Sequence, residues 1–248
     1  MKAIYILWLR QVKRYYRSPE RIIGLLGQPI LFLIAFGYGF GPIYKAAGQG
    51  NYIQFLVPGI IGMSVLVTAV ISGIEVLWDK QFGFLKETLV SPVPRINIMI
   101  GRTLGGATAA TIQGIIVFII ALFIGFKPYT LSFLPAALLF IILIAIFFTA
   151  LGTAIASLMK DMQGFQLIVN FLMMPIFFLS GALFPINNIP GDIKIVTVFN
   201  PLSYGIDGIR DTLTRITSFG VVNDFYILFF MTVMILIIGS FIFSKIQI

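Results

Sequence analysis

The sequence contains no cysteine and no histidine, and only 10% of its 248 residues are charged. Without these two residue types there is no disulfide framework, no thiol nucleophile, no zinc site of the usual kind and no imidazole acid–base chemistry. A domain folded in water carries about 25% charge. The scarcity here, with 59% hydrophobic residues and a mean hydropathy of +1.03, excludes a soluble enzyme, because one core of this size cannot bury so much apolar surface. G-x-x-x-x-G-K-[ST], G-x-S-x-G and H-E-x-x-H are missing as well, so the chain carries no P-loop ATPase of its own. The 17 basic residues outnumber the 9 acidic ones. In so apolar a chain that excess reads as topology and contact with anionic lipid, not as nucleic-acid binding.

What is present is a series of apolar runs long enough to cross a bilayer, near 22–42, 54–77, 99–125, 132–158, 165–184 and 223–244. They predict an all-α membrane protein of six transmembrane helices, forming one domain over 1–248. Pro29, Pro58 and Pro175 fall in or beside these runs and are compatible with kinked spans. Lys and Arg concentrate in residues 1–21 and 78–102, which places both segments, and with six spans both termini, on the cytoplasmic side. Lys194, Arg210 and Arg215 depart from the rule, offset by Asp192, Asp207 and Asp211. The basic N-terminal segment lacks the pattern of a removable signal peptide, so the first span is expected to remain. No charged residue lies at mid-span, which disfavours ion-coupled transport.

Three segments are not ordinary loops. Over 1–18, Tyr5, Trp8, Leu9, Val12, Tyr15 and Tyr16 recur at helical spacing opposite Arg10, Lys13, Arg14 and Arg17. This predicts an amphipathic helix on the inner leaflet, either a simple anchor or a partner contact. Over 79–95, Phe82, Leu85 and Leu89 are expected to share one face of a short helix that Pro92 and Pro94 end; an interfacial turn is the alternative. Over 185–222, Pro185, Pro190 and Pro201 interrupt an apolar run, predicting short helices at or dipping into the outer interface. There Asp207, Arg210, Asp211 and Arg215 are expected to form a solvated or mutually paired face.

Gln28, Thr68, Thr108, Thr111, Gln113, Thr149, Thr153, Gln166 and Asn170 are the polar residues within spans. They can bond between helices or line a pathway. The cluster Gly101, Gly105, Gly106, Ala107, Ala109 and Ala110 permits close helix approach. Glu75 and Asp79 are the one carboxylate pair near the inner surface, and read as a solvated helix end.

The whole chain resembles the ABC-2 type permeases. The resemblance is carried most specifically by Phe84-Leu85-Lys86-Glu87-Thr88-Leu89-Val90-Ser91-Pro92-Val93-Pro94-Arg95 ahead of Ile100-Gly101-Arg102, and again by Phe184-Pro185, Ile189-Pro190 and Asn200-Pro201-Leu202-Ser203-Tyr204 with Arg210. Within the family it looks closest to the drug- and lipid-exporter branch that includes daunorubicin-resistance permeases. The resemblance implies two permease chains, a homodimer in the simplest case, each engaging a cytosolic ATP-binding-cassette subunit that alone binds ATP and magnesium. It implies that Phe82, Leu85, Lys86, Glu87, Leu89, Ser91, Pro92, Pro94 and Arg95 couple the chain to that ATPase. It also implies an external re-entrant segment containing Pro185, Pro190, Asn200, Pro201, Tyr204 and Arg210. The expected function is export of a hydrophobic drug, lipid or lipid-linked glycan across the cell membrane, with no cofactor in this chain. A membrane-bound lipid-modifying enzyme and a non-ATP translocation or assembly component are the alternatives.

Overall fold

The computed structural model describes residues 2–48, 50–85, 90, 93–186 and 191–245. Among them there are helices and no strand. Ten α-helices follow in order: α1 Lys2–Tyr16, α2 Pro19–Ala46, α3 Tyr52–Ser72, α4 Ile74–Gln81, α5 Arg95–Ile124, α6 Leu134–Leu158, α7 Met162–Phe178, α8 Gly191–Phe199, α9 Pro201–Thr214 and α10 Val221–Ser244.

Five stretches among the described residues are long and apolar enough to cross a membrane: α2, α3 continued by α4, α5, α6 with its preceding turn, and α10. The expected fifth span ends early. α7 has 17 residues, about 25 Å at 1.5 Å per residue, short of a hydrocarbon core of about 30 Å. The run 165–184 therefore divides into a helix up to Phe178 and a non-helical turn over 179–184.

α3 is the central post, with 17 of its 21 residues buried. It packs against α2, α5, α6 and α9. Since lipid is as apolar as the helix, such burial gains little from hydrophobicity and depends on close van der Waals fit. α2 and α7 lie at the edge and keep much of their apolar surface exposed. Pro29, Pro42, Pro58 and Pro175 all sit inside helices, as intramembrane prolines can when neighbours stabilise the kink.

α1 runs alongside α5 and in the same direction. Its Trp8 indole donates to Thr108 Oγ1 at 3.0 Å, and the Tyr15 hydroxyl donates to Gln113 Oε1. Burial pushes the Tyr15 phenol up to about 12, with nearby Arg21 opposing the shift. The small residues of α5 permit this fit: a Cβ on Gly105 would lie 2.5 Å from Gln11 Cβ, and one on Gly101 would lie 2.9 Å from Leu7 Cβ. The glycine cluster is thus a packing face.

α9 is buried almost throughout, wedged among α3, α6 and α10. It runs antiparallel to α3: Ile206 meets Gly62, and Arg210 lies against Phe55. Asn200 caps it by accepting from Leu202 N at 3.0 Å, and Pro201 occupies its first turn, where a missing N–H is harmless. Gly208 carries no Cβ because the Phe140 ring fills that space.

Candidate functional site

At the end of the bundle marked by Asp79, charge is organised by partners distant in sequence. Glu75 and Asp79 on α4 are buried, not a solvated helix end as expected. Arg10 of α1 donates to Asp79 Oδ1 at 2.8 Å, and Arg102 of α5 pairs with Asp79 Oδ2. Glu75 accepts from Arg21 of α2 at 2.9 Å, with Arg14 of α1 3.8 Å away. Two carboxylates thus join α1, α2, α4 and α5. Charge-assisted pairs in so sheltered a place are much stronger than surface ones, and removing one partner strands the other. Both carboxylates are engaged by arginine, so neither is a free general acid or base.

The segment expected to act in coupling begins where α4 stops. Gly83, with φ +78°, turns the chain after Phe82 as a left-handed residue does beyond a helix end. Phe82 is 80% exposed while Leu85 is fully buried. The expectation that these two share a docking ridge is therefore wrong: the turn at Gly83 breaks the periodicity between them. Phe84 is exposed beneath the Arg10 guanidinium, 4.4 Å from its ring centroid. Pro94 precedes α5, and Arg95 opens it and donates to Ser244 O at the end of α10. Lys86, Glu87, Leu89, Ser91 and Pro92 lie outside the described residues.

Beside this segment is an open groove of about 680 Å³, lined by Arg10, Lys13, Arg14, Arg17, Trp78, Phe82 and Phe84 among others. The helix α4 that forms its floor is held in place by Trp78 Nε1 on Met162 Sδ at 3.0 Å and Lys80 Nζ on Met159 O at 3.3 Å.

A second cleft, of about 420 Å³, opens between α2, α3 and α7. Gln28, Gln166 and Asn170 supply amides, Met63, Met173 and Met174 supply pliable thioethers, and Phe32 and Phe177 supply rings. A mainly apolar cleft of this size with a few polar groups has the usual character of a small-molecule site.

At the opposite end, the broken segment is tied down by side-chain donors. Arg210, 1% exposed, donates to Gly181 O at 2.9 Å and Phe55 O at 3.3 Å, and its guanidinium stacks 4.0 Å from the Phe55 ring centroid. Tyr52 donates to Leu183 O at 2.9 Å, Asn200 to Ile176 O at 2.6 Å and Tyr204 to Val198 O at 2.7 Å. Asp207 accepts from Ser218 N at 2.8 Å and Phe219 N at 2.9 Å. Of the four residues expected to form a solvated or mutually paired face, Arg215 is exposed and Asp211 half-buried, whereas Asp207 and Arg210 are buried and held by backbone groups of other segments and, for Asp207, by the Thr217 hydroxyl as well. Pro185 is half-buried after the turn, and Pro190 lies outside the described residues. Sequence reasoning missed the four-arginine, two-carboxylate assembly. Its one local signal was two acids at four-residue spacing next to two basic segments.

A bundle of long apolar helices, tied by ion pairs at one end and holding a mainly apolar cleft, defines a multi-pass membrane protein. The chain belongs to the ABC-2 type transporter family, whose profile matches residues 2–214. It is 27% identical over 237 residues to the inner membrane transport permease YadH of Escherichia coli, covering 92% of each chain. It is 27% identical over 213 residues to nodulation protein J of Rhizobium leguminosarum, covering 83% of this chain and 82% of that one. With the ycf38 protein of Pyropia yezoensis it shares 31% identity over 216 residues, 85% of this chain and 73% of the relative. The chain is a membrane transport permease.

Proposed function

We propose that this chain is the membrane subunit of an ATP-driven exporter, acting as one transmembrane domain over 1–248 in the cell membrane. A separate cytosolic ATP-binding-cassette subunit binds ATP and magnesium and engages residues 81–95 together with the groove lined by Arg10, Lys13, Arg14 and Arg17. The observation that carries this reading is the Asp79 junction. Asp79 and Glu75 bind α1, α2, α4 and α5 into one unit beside the coupling segment, so a push on that segment moves α2, a wall of the cleft.

The Asp79 end is cytoplasmic in this reading, because twelve of the 17 Lys and Arg residues belong to its segments. α1 then lies at the inner headgroup level, and α8 and α9 re-enter from the outer face, with α7 serving as the sixth, shortened span. The exposed faces of α2 and α7 receive a second permease chain, and the cleft between α2, α3 and α7 takes a hydrophobic drug, lipid or lipid-linked glycan.

The test exploits the absence of cysteine. Phe82→Cys is introduced as the sole thiol and cross-linked in native membranes with a short bifunctional reagent. Capture of an ATP-binding-cassette subunit, with a yield that changes on adding nucleotide, supports the reading. A reactive thiol that captures no such subunit, with Val90→Cys giving the same result, refutes it.

A further inference from the structure

Amides within this bundle are of two kinds. Gln113 of α5 is engaged on both sides: its carbonyl oxygen accepts from the Tyr15 hydroxyl, and its Nε2 donates to Ile22 O at 3.2 Å. Such an amide joins helices. Gln28, Gln166 and Asn170 are exposed along the cleft between α2, α3 and α7 instead. Gln166 Nε2 donates to Asn170 Oδ1 at 3.2 Å, and among the described residues no hydrogen bond ties any of the three to another helix. Their remaining donors and acceptors face the open space of the cleft, where a polar group without a partner is costly in an apolar surrounding.

The amides occupy one end of the cleft. α2 and α7 both start at the Asp79 end, where Arg21 meets Glu75 and Met162 meets Trp78. Gln28, Gln166 and Asn170 lie about 6 to 14 Å along their helices from that end, whereas Phe32, Met174 and Phe178 lie about 18 to 24 Å along. The cleft is therefore amphipathic along its length. None of the residues lining it is charged. The ionised groups next to it in sequence, Arg21 one turn before Leu25 and Glu75 one turn beyond Ile71, neutralise each other at 2.9 Å.

We propose that the cleft selects an amphiphile whose head is uncharged and carries hydroxyl or amide groups. Gln28, Gln166 and Asn170 bond the head, since each amide offers both a donor and an acceptor, as a hydroxyl also does. Phe32, Met174 and Phe178 hold the apolar part. An ionised head is rejected, because it would leave water for a site with no counter-charge to offset its desolvation. This selectivity rests on the cleft being the substrate site of the transport reading, and narrows the ligand class that site accepts.

The full chain with Gly24→Cys as its sole thiol is reconstituted in dioleoyl phosphatidylcholine vesicles without ATPase or nucleotide. Gly24 lines the cleft, and a Cβ there meets nothing within 4 Å. Alkylation by N-ethylmaleimide is timed with each of three amphiphiles that share one oleoyl chain: neutral monooleoylglycerol, its anionic phosphate ester, and cationic oleoylcholine. Rates are taken relative to Phe82→Cys, outside the cleft, so that effects of membrane surface charge cancel. Monooleoylglycerol is expected to slow the reaction about fivefold, and the charged pair to change it less than about twofold. Gln166→Leu with Asn170→Leu should reduce the protection by monooleoylglycerol to the level of the charged pair; the comparison of the three heads stands without that variant if it fails to fold. Equal protection by all three, or stronger protection by a charged head, would overturn the proposal. Protection by none would overturn it too, in favour of amides that bond a second permease chain. Because no ATPase is present, these rates are readable whether or not Phe82→Cys captures one, and the two readings fail separately.

Discussion

Asp79 and Arg102 form a buried ion pair between α4 and α5, with Arg102 only 2% exposed. Two further nitrogens of Arg102, Nε and Nη1, have no hydrogen-bond partner. The guanidinium is therefore held chiefly by one carboxylate. Asp79→Ala should destabilise the protein by about 3–5 kcal/mol, the usual consequence of stranding a buried charge. Combining Asp79→Leu with Arg102→Met should recover most of that loss, because the stranded charge is gone. Thermal unfolding of the purified chain and of both variants checks this.

The fit of α1 against α5 predicts the outcome of adding bulk at Gly105. A side chain there runs into Gln11, so Gly105→Leu should push α1 away. Cysteines at Leu7 and Gly101, where a Cβ on Gly101 would lie 2.9 Å from Leu7 Cβ, should oxidise readily to a disulfide in the parent background and several-fold less with Gly105→Leu. Equal yields would show that the glycine is not needed for contact.

Asp207 holds the turn before α10 through the backbone N–H groups of Ser218 and Phe219. Hydrogen bonds to a charged acceptor contribute about 1.5–3 kcal/mol each. Asp207→Ala should raise hydrogen exchange at those two amides at least tenfold, whereas Asp207→Asn, which keeps an acceptor oxygen, should raise it less.

The cleft predicts a loss of transport without a loss of folding. A Cβ at Gly24 meets nothing within 4 Å, so Gly24→Trp can fill the cleft from α2 with little strain. ATP-driven accumulation of a hydrophobic dye in inverted vesicles should fall about tenfold or more, while the unfolding temperature moves little. Transport at the parent rate would remove the cleft from the substrate path.

Tyr15 predicts an alkaline effect. Its folded pKa, pushed up to about 12, lies above the ordinary value near 10, so the folded state retains the phenolic proton longer than the unfolded one. The resulting stability is fully present below pH 10 and is lost as pH rises through about 12. Tyr15→Phe should flatten the difference in unfolding temperature across that window, read against the parent chain at each pH.

Some of this architecture was legible in the residues because it depends on local chemistry. The five long apolar helices follow from runs of hydropathy. The small-residue cluster from Gly101 to Ala110 reads as a close-packing face. The expected shared face of Phe82 and Leu85 was lost at Gly83, whose positive φ resets the helical phase. Periodicity arguments assume an unbroken helix, and one left-handed residue is enough to defeat them.

The fate of the charges was decided by the tertiary structure alone. Asp79 meets Arg10 across 69 residues, Glu75 meets Arg21 across 54, and Arg210 reaches Phe55 O across 155. Judged locally, each of these groups sits in a polar or interrupted stretch and looks solvated. In the bundle Asp79, Glu75 and Arg210 are withdrawn from water, and the cost of desolvation is offset only by partners brought from elsewhere in the chain. By itself the sequence determined that the protein is helical and crosses a membrane, because solvation by lipid is a property of each segment. Which segments move together was decided by packing, because an ion pair or a hydrogen bond is a property of two.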